Sequence, residues 1–475
     1  MSDSEQQAKT TQAGGIEHHS IEHIPAAARH GSVASLFTIW FGSNMQLTTI
    51  VTGALATILG LSLQYSLLAI LLGNAFGAVF MALHSAQGPK LGIPQMIQSR
   101  AQFGFYGACV PIALVVLMYL GFFASSAVLG GEALGAAWGI GFTQATIILS
   151  VVTAVLSIYG YRAIHRLDRY FSAAAAVAFL YLSARLLAGH DLSGAWHGGS
   201  TSFGLFLLVM SISATWQITY APYVADYSRY LPESTSVRAA FWWTYAGTVL
   251  SSVWMMWLGA IAAAVVGTDF SRDSSAFLIE LAAARVRWAI ILIIAVGLVV
   301  INVLNLYGMF MSVTTTISSI RALRVTARLR ATVIALLALL GTIVAILGKG
   351  NFVTNFENFI LFLAYLLIPW TAINLADFYV VRRERYDLGA IFDPGGRYGR
   401  VNWRTLFAYG IAVLAEIPFV KTSFFTGAAV EHVGGADISW IIGLILAALL
   451  YVLLMRGESR QVHAALLQER RHVRP

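Results

Sequence analysis

Long apolar runs separated by short polar segments fill almost the whole chain. Twelve of the runs approach the roughly 20 apolar residues that a helix needs to cross a bilayer core. They lie near residues 33–59, 66–86, 107–137, 143–160, 170–188, 203–224, 239–266, 288–318, 331–348, 354–378, 404–424 and 438–455. The pattern predicts an all-α polytopic membrane protein with twelve transmembrane helices.

Small and polar residues interrupt the first and the sixth of these runs. The first contains WFGSNMQ at residues 40–46, and the sixth contains SISATWQ at 211–217, followed by Pro222. Backbone groups freed at membrane depth must be satisfied inside the protein, so such breaks persist only where they line a cavity. Two broken helices at corresponding places in two halves indicate the binding site of a secondary transporter.

The spacing of the two breaks predicts an inverted repeat. Five spans separate the starts of the interrupted runs, and an odd number turns the second unit upside down in the membrane. We therefore expect a first repeat at 33–188 (spans one to five) and a second at 203–378 (spans six to ten). Two peripheral helices would occupy 404–455, and a polar and a basic tail would flank the bundle at 1–32 and 456–475.

Composition and charge support this topology. The chain is 58% hydrophobic and 11% charged, with a mean hydropathy of +0.73, whereas a soluble domain has about 25% charged residues. When the N-terminus is placed in the cytoplasm, 24 of the 30 Lys and Arg residues fall in cytoplasmic segments. This asymmetry obeys the positive-inside rule. It predicts two cytoplasmic termini and accounts for the net charge of +8 without nucleic-acid binding.

Two asparagines interrupt the apolar eighth span. Asn302 and Asn305 are three residues apart, which places both amides on one face of a helix. Each amide offers two donors and one acceptor, a set that can match the edge of a nucleobase. Asn side chains also join neighbouring membrane helices, so the sequence leaves both interpretations open.

Aromatic residues in the third and sixth spans are candidates for stacking on a flat ligand. Phe122 and Trp216 could sandwich a heterocycle, and Ser126 and Gln217 could form hydrogen bonds beside them. Pockets for small molecules commonly combine aromatic walls with a few polar groups. Ordinary helix packing would use the same residue types.

Glu132 and Glu416 are the carboxylates that we predict inside spans. Ionisable residues at membrane depth are costly and are therefore functional candidates. Glu132 could carry a coupling proton. Alternatively, either carboxyl group could lie near an interface or be held neutral by its neighbours.

The sequence contains no motif typical of an enzyme or an ATP-driven pump. A zinc-protease helix, a nucleophile elbow, a P-loop and a dinucleotide fingerprint are all missing from it. We therefore expect no catalytic residue, no metal site and no cofactor, and we expect an ion gradient to supply the work of transport.

Three motifs resemble one transporter family. The loop before the third span, GPKLGIPQMIQSRAQFG at residues 88–104, closely resembles that of bacterial cytosine/purine permeases in the nucleobase–cation symporter family. The sequence ADYSRYLP at 225–232 resembles the family motif that closes the sixth span, and NLY at 305–307 resembles the motif of the eighth span. The likeness extends from about residue 25 to 455.

The resemblance implies a leucine-transporter-like fold in the bacterial inner membrane, with uptake of a nucleobase and a cation by alternating access. It assigns ring stacking to Phe122 and Trp216 and base recognition to Asn305. In the hydantoin-transporting branch, a Trp and then a Gln four residues later occupy the third span. Phe122 and Ser126 stand at those positions here, so the stacking role is retained but the amide partner is replaced.

The resemblance also suggests where the coupling cation binds. The first-span break, whose carbonyl groups coordinate sodium in the family, falls at residues 40–44, so Phe41, Gly42 and Asn44 are the candidates here. The sodium-binding branch has hydroxyl residues at the positions of Val299 and Val300. Because valine offers no side-chain oxygen to a hard cation, we expect proton coupling, with sodium as the alternative.

Other functions remain open on these residues. The same fold could carry allantoin, a hydantoin, a vitamin ring or a nucleoside, because the pocket residues are too general to select one cargo. A passive facilitator or an integral-membrane enzyme is a further alternative, although an enzyme would need a catalytic site that the sequence does not show.

Overall fold

The computed structural model describes residues 22–159, 161–267, 270, 273–320 and 326–463. Within these ranges the regular structure consists of helices, with two isolated β-bridges and no strands. The predicted all-α architecture is thus confirmed. Residues 1–21 and 464–475 of the predicted tails lie outside the described residues.

Ten helices cover the chain from the first span to the first half of the sixth span. They are α1 Ser35–Ser43, α2 Leu47–Ile58, α3 Leu63–Ser85, α4 Gly88–Leu91, α5 Gln95–Phe103, α6 Cys109–Trp138, α7 Phe142–Tyr159, α8 Tyr161–Gly189, α9 Ser193–His197 and α10 Phe203–Ile218. The remaining helices are α11 Ala221–Ser228, α12 Val237–Val266, α13 Ser274–Leu281, α14 Arg287–Ile320, α15 Ala327–Gly348, α16 Phe352–Leu375, α17 Leu388–Ile391, α18 Trp403–Glu416 and α19 Ser439–Leu454.

Each of the twelve predicted spans coincides with at least one of these helices. In the described part of the chain, seven helical segments are long and apolar enough to cross a membrane, or eight if the bent pair Ser439–Leu454 and Arg456–His463 counts as one span. One of the seven, Ala327–Val381, contains both α15 and α16. The helix α18 is shorter than its predicted span, because a 3-10 turn follows at Ile417–Phe419.

Both predicted breaks are present. The first span stops at Ser43 and resumes at Leu47, and Gln46 between them has an extended backbone (φ −145°, ψ 159°). The sixth span breaks between α10 and α11, with Pro222 in the first turn of α11. Proline is tolerated there because the first turn of a helix has no partner for its backbone N–H. The sixth break therefore lies just beyond the small and polar stretch that predicted it.

Glycines let the first and seventh spans pack closely. A Cβ on Gly53 would lie 2.1 Å from the carbonyl oxygen of Met256, and one on Gly259 would lie 1.8 Å from that of Ile50. Membrane helices approach closely where both carry small residues. Either glycine could be replaced only if α2 and α12 moved apart.

Helix partners follow the predicted inverted repeat. Span one packs along span seven through α2 and α12, and span six packs along span two through α10 and α3. In the predicted repeat, span one corresponds to span six and span seven corresponds to span two. The two pairings are therefore equivalent. Spans three and eight, which also correspond to each other, pack along one another through α6 and α14.

Segments predicted to be cytoplasmic meet at one end of the bundle. Backbone hydrogen bonds join them in pairs, namely Ile24 to Gly92 (2.9 Å), His30 to Tyr230 (2.6 Å) and Asn402 to Phe103 (2.8 Å). We call this end, formed by residues 22–30, 86–107, 226–238 and 382–402, the basic face. Its grouping agrees with the predicted alternation of loops.

A buried carboxylate joins three parts of the chain at the basic face. Asp377 lies in a π-helical turn, Ala376–Val381, that follows α16, and it is fully buried. Its partners are Arg382 (3.0 Å), Gln102 (2.9 Å), Tyr386 (2.7 Å) and Tyr451 of α19 (2.7 Å). Since buried charges persist only when paired and hydrogen-bonded, this site connects the tenth span to α5 and to the last helix.

Candidate functional site

A pocket lies between the two helix breaks, and we call it the central pocket. Its free volume is about 10 Å³, close to the room that one water molecule needs. Its walls come from the first, third, sixth and eighth spans, with the residues Gln46, Thr48, Phe122, Ser126, Trp216, Thr219, Tyr220, Tyr223, Ile301 and Asn305. Four of the six residues predicted to bind substrate are therefore brought together.

Asn44 connects the first break to the sixth. Its Oδ1 accepts hydrogen bonds from Trp216 Nε1 (2.8 Å) and from the hydroxyl of Tyr220 (3.0 Å). Its Nδ2 donates to the carbonyl of Trp40 (3.1 Å) and to the hydroxyl of Ser251 in α12 (3.0 Å). The side chain predicted to serve the coupling cation is thus occupied in holding both broken helices to the seventh span.

Gln217 lies outside the central pocket, although it directly follows Trp216. Its Nε2 donates to Asn74 of α3 (2.7 Å) and to Ser252 of α12 (2.6 Å), and its Oε1 accepts from Thr248 (2.6 Å). The amide is fully buried and has partners at both ends. This geometry corresponds to a structural role between helices and not to the predicted contact with substrate.

The two asparagines of the eighth span differ in position. Asn305 lines the central pocket, and its Nδ2 lies 3.4 Å from Asn302 Oδ1. Asn302 is fully buried behind it and donates to the carbonyl of Phe123 in α6 (3.2 Å). Asn305 therefore faces the pocket, whereas Asn302 joins spans three and eight, which is the alternative that the sequence left open.

Phe122 and Trp216 both line the central pocket, but they touch each other. Their ring centroids are 5.7 Å apart and their planes meet at 89°. Phe122 makes a second edge-to-face contact with Phe359 of α16, at 5.2 Å. Such contacts are favourable aromatic pairs. A ligand sandwiched between the two rings would therefore have to separate them.

The other cation candidates surround the first break. The carbonyl of Gly42 accepts from the amide of Met45 (2.9 Å), and a Cβ on Gly42 would lie 2.1 Å from Ser172 Oγ in α8. The ring of Phe41 stacks on Phe37 at 5.5 Å. The amide of Asn44 also donates to the Gly42 carbonyl, so this oxygen is engaged by the backbone of the break itself.

The eighth span passes close to this break. A Cβ on Gly297 would lie 3.8 Å from the carbonyl oxygen of Met45. Val299 and Val300 follow on the same helix, and Val300 is buried. Among the hydroxyl residues near the break, Ser43 donates to the carbonyl of Ile39 (2.8 Å), while the buried hydroxyl of Thr49 has no hydrogen-bond partner in the described part of the chain.

Glu132 is remote from the breaks. It lines a separate outer cavity at the opposite end of the bundle from the basic face, together with Ser274, Lys349 and Asn351. The structure therefore does not bring Glu132 to Phe41, Gly42 or Asn44, and its role in coupling stays a prediction.

The loop before the third span is held against the end of the sixth span. The amide of Gln95 donates to Asp226 Oδ1 (2.7 Å), and a Cβ on Gly88 would lie 2.0 Å from Ser228 Oγ. In the same loop, burial lowers the pKa of Arg100 to about 10, which leaves a fixed positive charge at neutral pH. Two of the three motifs that carry the family resemblance thus contact each other.

Several residues of the central pocket were not assigned a role from the sequence. Gln46 and Thr48 flank the first break, and the Thr48 hydroxyl donates to Gln46 Oε1 (2.6 Å). Thr219, Tyr220 and Tyr223 flank the sixth. Their closeness to the breaks is a signal that the sequence does contain, because polar residues next to a broken helix tend to face its cavity.

Comparison with known proteins agrees with this geometry. The sequence model of a family described as permeases for cytosine/purines, uracil, thiamine and allantoin matches residues 23–443. YxlA of Bacillus subtilis, whose name places it among purine-cytosine permeases, is 46% identical over 93% of this chain and 96% of its own. The purine-cytosine permease fcyB of Emericella nidulans is 25% identical over 92% of this chain and 88% of its own.

Solved structures show the same fold. Mhp1, a nucleobase-cation-symport-1 family transporter, in a closed conformation with bromovinylhydantoin bound, superposes with a TM-score of 0.76 at 19% identity, covering 94% of this chain and 97% of Mhp1. The inward-facing conformation of Mhp1 gives 0.75 at 21% identity, covering 95% and 96%. The leucine-transporter-like fold is thereby confirmed. The chain belongs to the cytosine/purine permease family of nucleobase–cation symporters, and it is a membrane transporter and not an enzyme.

Proposed function

We propose that this transporter imports a nucleobase, either cytosine or a purine-type base, across the bacterial inner membrane by cation symport. The observation that carries the proposal is Asn305, whose amide faces a pocket bounded by both helix breaks and by Phe122 and Trp216. A flat base needs an aromatic wall and a polar edge partner, and this pocket offers both. The names of YxlA and fcyB support the same substrate class.

Two polar groups in the pocket are available to read the base. Asn305 Oδ1 and the Ser126 hydroxyl have no hydrogen-bond partner among the described residues, and both residues line the pocket. An amide oxygen can accept from an exocyclic amino group, and a hydroxyl can donate or accept. Because Gln217 and Asn302 are engaged elsewhere, we assign base recognition to Asn305 and Ser126.

We propose a proton as the coupling ion. Valine at 299 and 300 places no side-chain oxygen next to the first break, and hard cations require oxygen ligands. Sodium is the alternative, and the unpartnered hydroxyl of Thr49 favours it. The two ions make opposite predictions for transport in a medium without sodium.

Uptake of radiolabelled cytosine into proteoliposomes tests the proposal. With an inward proton gradient and no sodium, we expect accumulation that a protonophore abolishes and that unlabelled purines inhibit. Uptake that appears only when sodium is added would show sodium coupling instead. If neither gradient drives uptake of cytosine or a purine, the substrate assignment is wrong.

A second cargo class has specific support. The family description includes uracil, thiamine and allantoin, and the vitamin B6 transporter TPN1 of Saccharomyces cerevisiae is 25% identical over 79% of this chain and 68% of its own. Allantoin, thiamine and pyridoxine should therefore be included as competitors in the uptake assay. Stronger inhibition by one of these than by cytosine would transfer the assignment to that ring.

A further inference from the structure

A second cavity, which we call the vestibule, continues from the central pocket to the basic face. The two spaces share four wall residues: Tyr220, Tyr223, Ile301 and Asn305. At its far end the vestibule meets the loop before the third span and the end of the sixth span, through Pro94, Met96, Ile97, Asp226 and Arg229. A ligand that leaves the central pocket towards the basic face must pass through this space.

Aromatic rings form a continuous wall along this path. The ring centroids of Trp216 and Tyr220 are 6.1 Å apart, those of Tyr220 and Trp40 are 5.4 Å apart, and those of Trp40 and Tyr227 are 5.3 Å apart. Each pair meets at between 62° and 87°. A flat ligand can therefore move from one ring to the next without losing aromatic contact.

Two polar groups on the vestibule wall lack a partner. The indole N–H of Trp40 is buried and forms no hydrogen bond with any described residue. The hydroxyl of Tyr119, whose side chain is 6% exposed, lines the same space and likewise donates to no described residue. Buried donors in proteins are nearly always paired. The Trp40 N–H therefore indicates a partner that is not part of the chain, and the Tyr119 hydroxyl is available to the same partner.

The charged groups of the vestibule are already engaged at its mouth. Asp226 accepts from the amide of Gln95 (2.7 Å), and Arg229 donates to the carbonyls of Asp226 (3.3 Å) and Glu22 (3.3 Å). The free groups deeper inside include the Tyr119 hydroxyl, the Trp40 indole N–H and the Asn305 amide oxygen, which carry no charge. This chemistry suits a neutral planar ring with a carbonyl acceptor.

We propose that the vestibule is a second binding station for the transported heterocycle, on the side of the basic face. The inference rests on the proposed function, because it takes the ligand to be the same base. A ring carbonyl of the base accepts from Tyr119 and Trp40 while the ring lies against the aromatic wall. The station receives the base from the central pocket through the residues that the two spaces share.

Substitution of Tyr119→Phe tests the station, since it keeps the ring and removes the hydroxyl. Tyr119 borders the vestibule and not the central pocket. We expect the half-saturating cytosine concentration for exchange to rise about threefold to tenfold in vesicles that expose the basic face to the medium, as the loss of one hydrogen bond predicts. In vesicles of opposite orientation it should change less than twofold. The double variant Tyr119→Phe/Trp40→Phe should enlarge the one-sided effect.

Tyr409→Phe is the matched control, because its hydroxyl donates to the carbonyl of Leu366 (3.0 Å), away from both spaces. It should leave exchange unchanged in both orientations. Equal effects of Tyr119→Phe on both sides, or none on either, would overturn the station, and the second result would indicate that water fills the vestibule. A wild-type protein that exchanges no base would instead refute the proposed function and, with it, the ligand of the station.

Discussion

Trp216 donates its indole N–H to the side-chain oxygen of Asn44 at 2.8 Å, so one hydrogen bond connects the break of the sixth span to the break of the first. The hydroxyl of Tyr220 reaches the same oxygen at 3.0 Å. Trp216 and Tyr220 line the central pocket. The position of two pocket walls is therefore set by a residue of the first span that does not itself line the pocket.

Substitution of Asn44→Ala should lower stability and abolish transport together. It would leave the Trp216 and Tyr220 donors unpaired in a buried site, at roughly 1–3 kcal/mol for each group. We expect a fall of several degrees in the unfolding temperature in detergent, and uptake below a tenth of the wild-type rate. The control is Asn355→Ala, at an exposed amide that donates to the carbonyl of Gly348 (3.2 Å). It should change neither the unfolding temperature nor uptake. Normal uptake by Asn44→Ala would contradict the role of this connection.

Asn305→Ala and Gln217→Ala should separate recognition from stability. Asn305→Ala removes the pocket amide, and we expect about a tenfold to hundredfold rise in the half-saturating base concentration, equivalent to roughly 1–3 kcal/mol. Gln217→Ala breaks the contacts to α3 and α12, so it should lower the unfolding temperature and leave the ranking of competing bases unchanged. Competition assays on both variants measure the affinity and ranking of the bases, and thermal unfolding measures stability. A changed ranking in Gln217→Ala would return that residue to the substrate site.

Gly308→Ala should block the vestibule without unfolding the protein. A Cβ at this position would lie 2.4 Å from Cζ of Tyr119, so the tyrosine ring must shift. We expect loss of uptake with near-normal thermal stability, and partial recovery in the double variant Gly308→Ala/Tyr119→Ala, which removes the colliding ring. Gly410→Ala has open space around it and is the control. Full activity of Gly308→Ala would mean that the vestibule is not on the transport path.

Val299→Thr tests the coupling ion. The substitution restores a hydroxyl at a position where the sodium-binding branch carries one, and oxygen is the ligand that sodium requires. If the native protein is proton-coupled, the variant should gain stimulation by sodium, measured as uptake at fixed pH with and without the salt. Strong sodium stimulation of the unaltered protein would overturn proton coupling, and Thr49→Val would then be expected to remove it.

The breaks were predictable because they depend on composition. Glycine, serine and asparagine at 42–44 weaken a helix wherever it lies, and Pro222 fixes the place where α11 can begin. Which side chain faces the cavity depends instead on helix phase. Trp216 and Gln217 are consecutive, so about 100° of rotation separates them, and only one of them can line the central pocket.

Contacts between distant segments were not predictable from one sequence. The sequence predicts that Glu132 is a carboxylate within a span. It does not predict that Lys349, at the far end of α15, lies in the same outer cavity. Phe122 and Trp216 both line the central pocket, as the sequence suggested. Nothing in the sequence, however, places Phe359 against Phe122. The role of Asn302 could not be predicted either, because its hydrogen-bond partner is a backbone carbonyl of another helix.

The cluster around Asp377 limits how far this chain can be shortened. A transporter cut back to the ten spans of the predicted inverted repeat would end before α18. Such a truncation would remove the hydroxyl of Tyr451 from Asp377 and the carboxylate of Glu458 from Arg382 (2.8 Å). Since the buried pair of Asp377 and Arg382 would then lose two of its hydrogen-bond partners, we expect the shortened chain to be less stable than the full one.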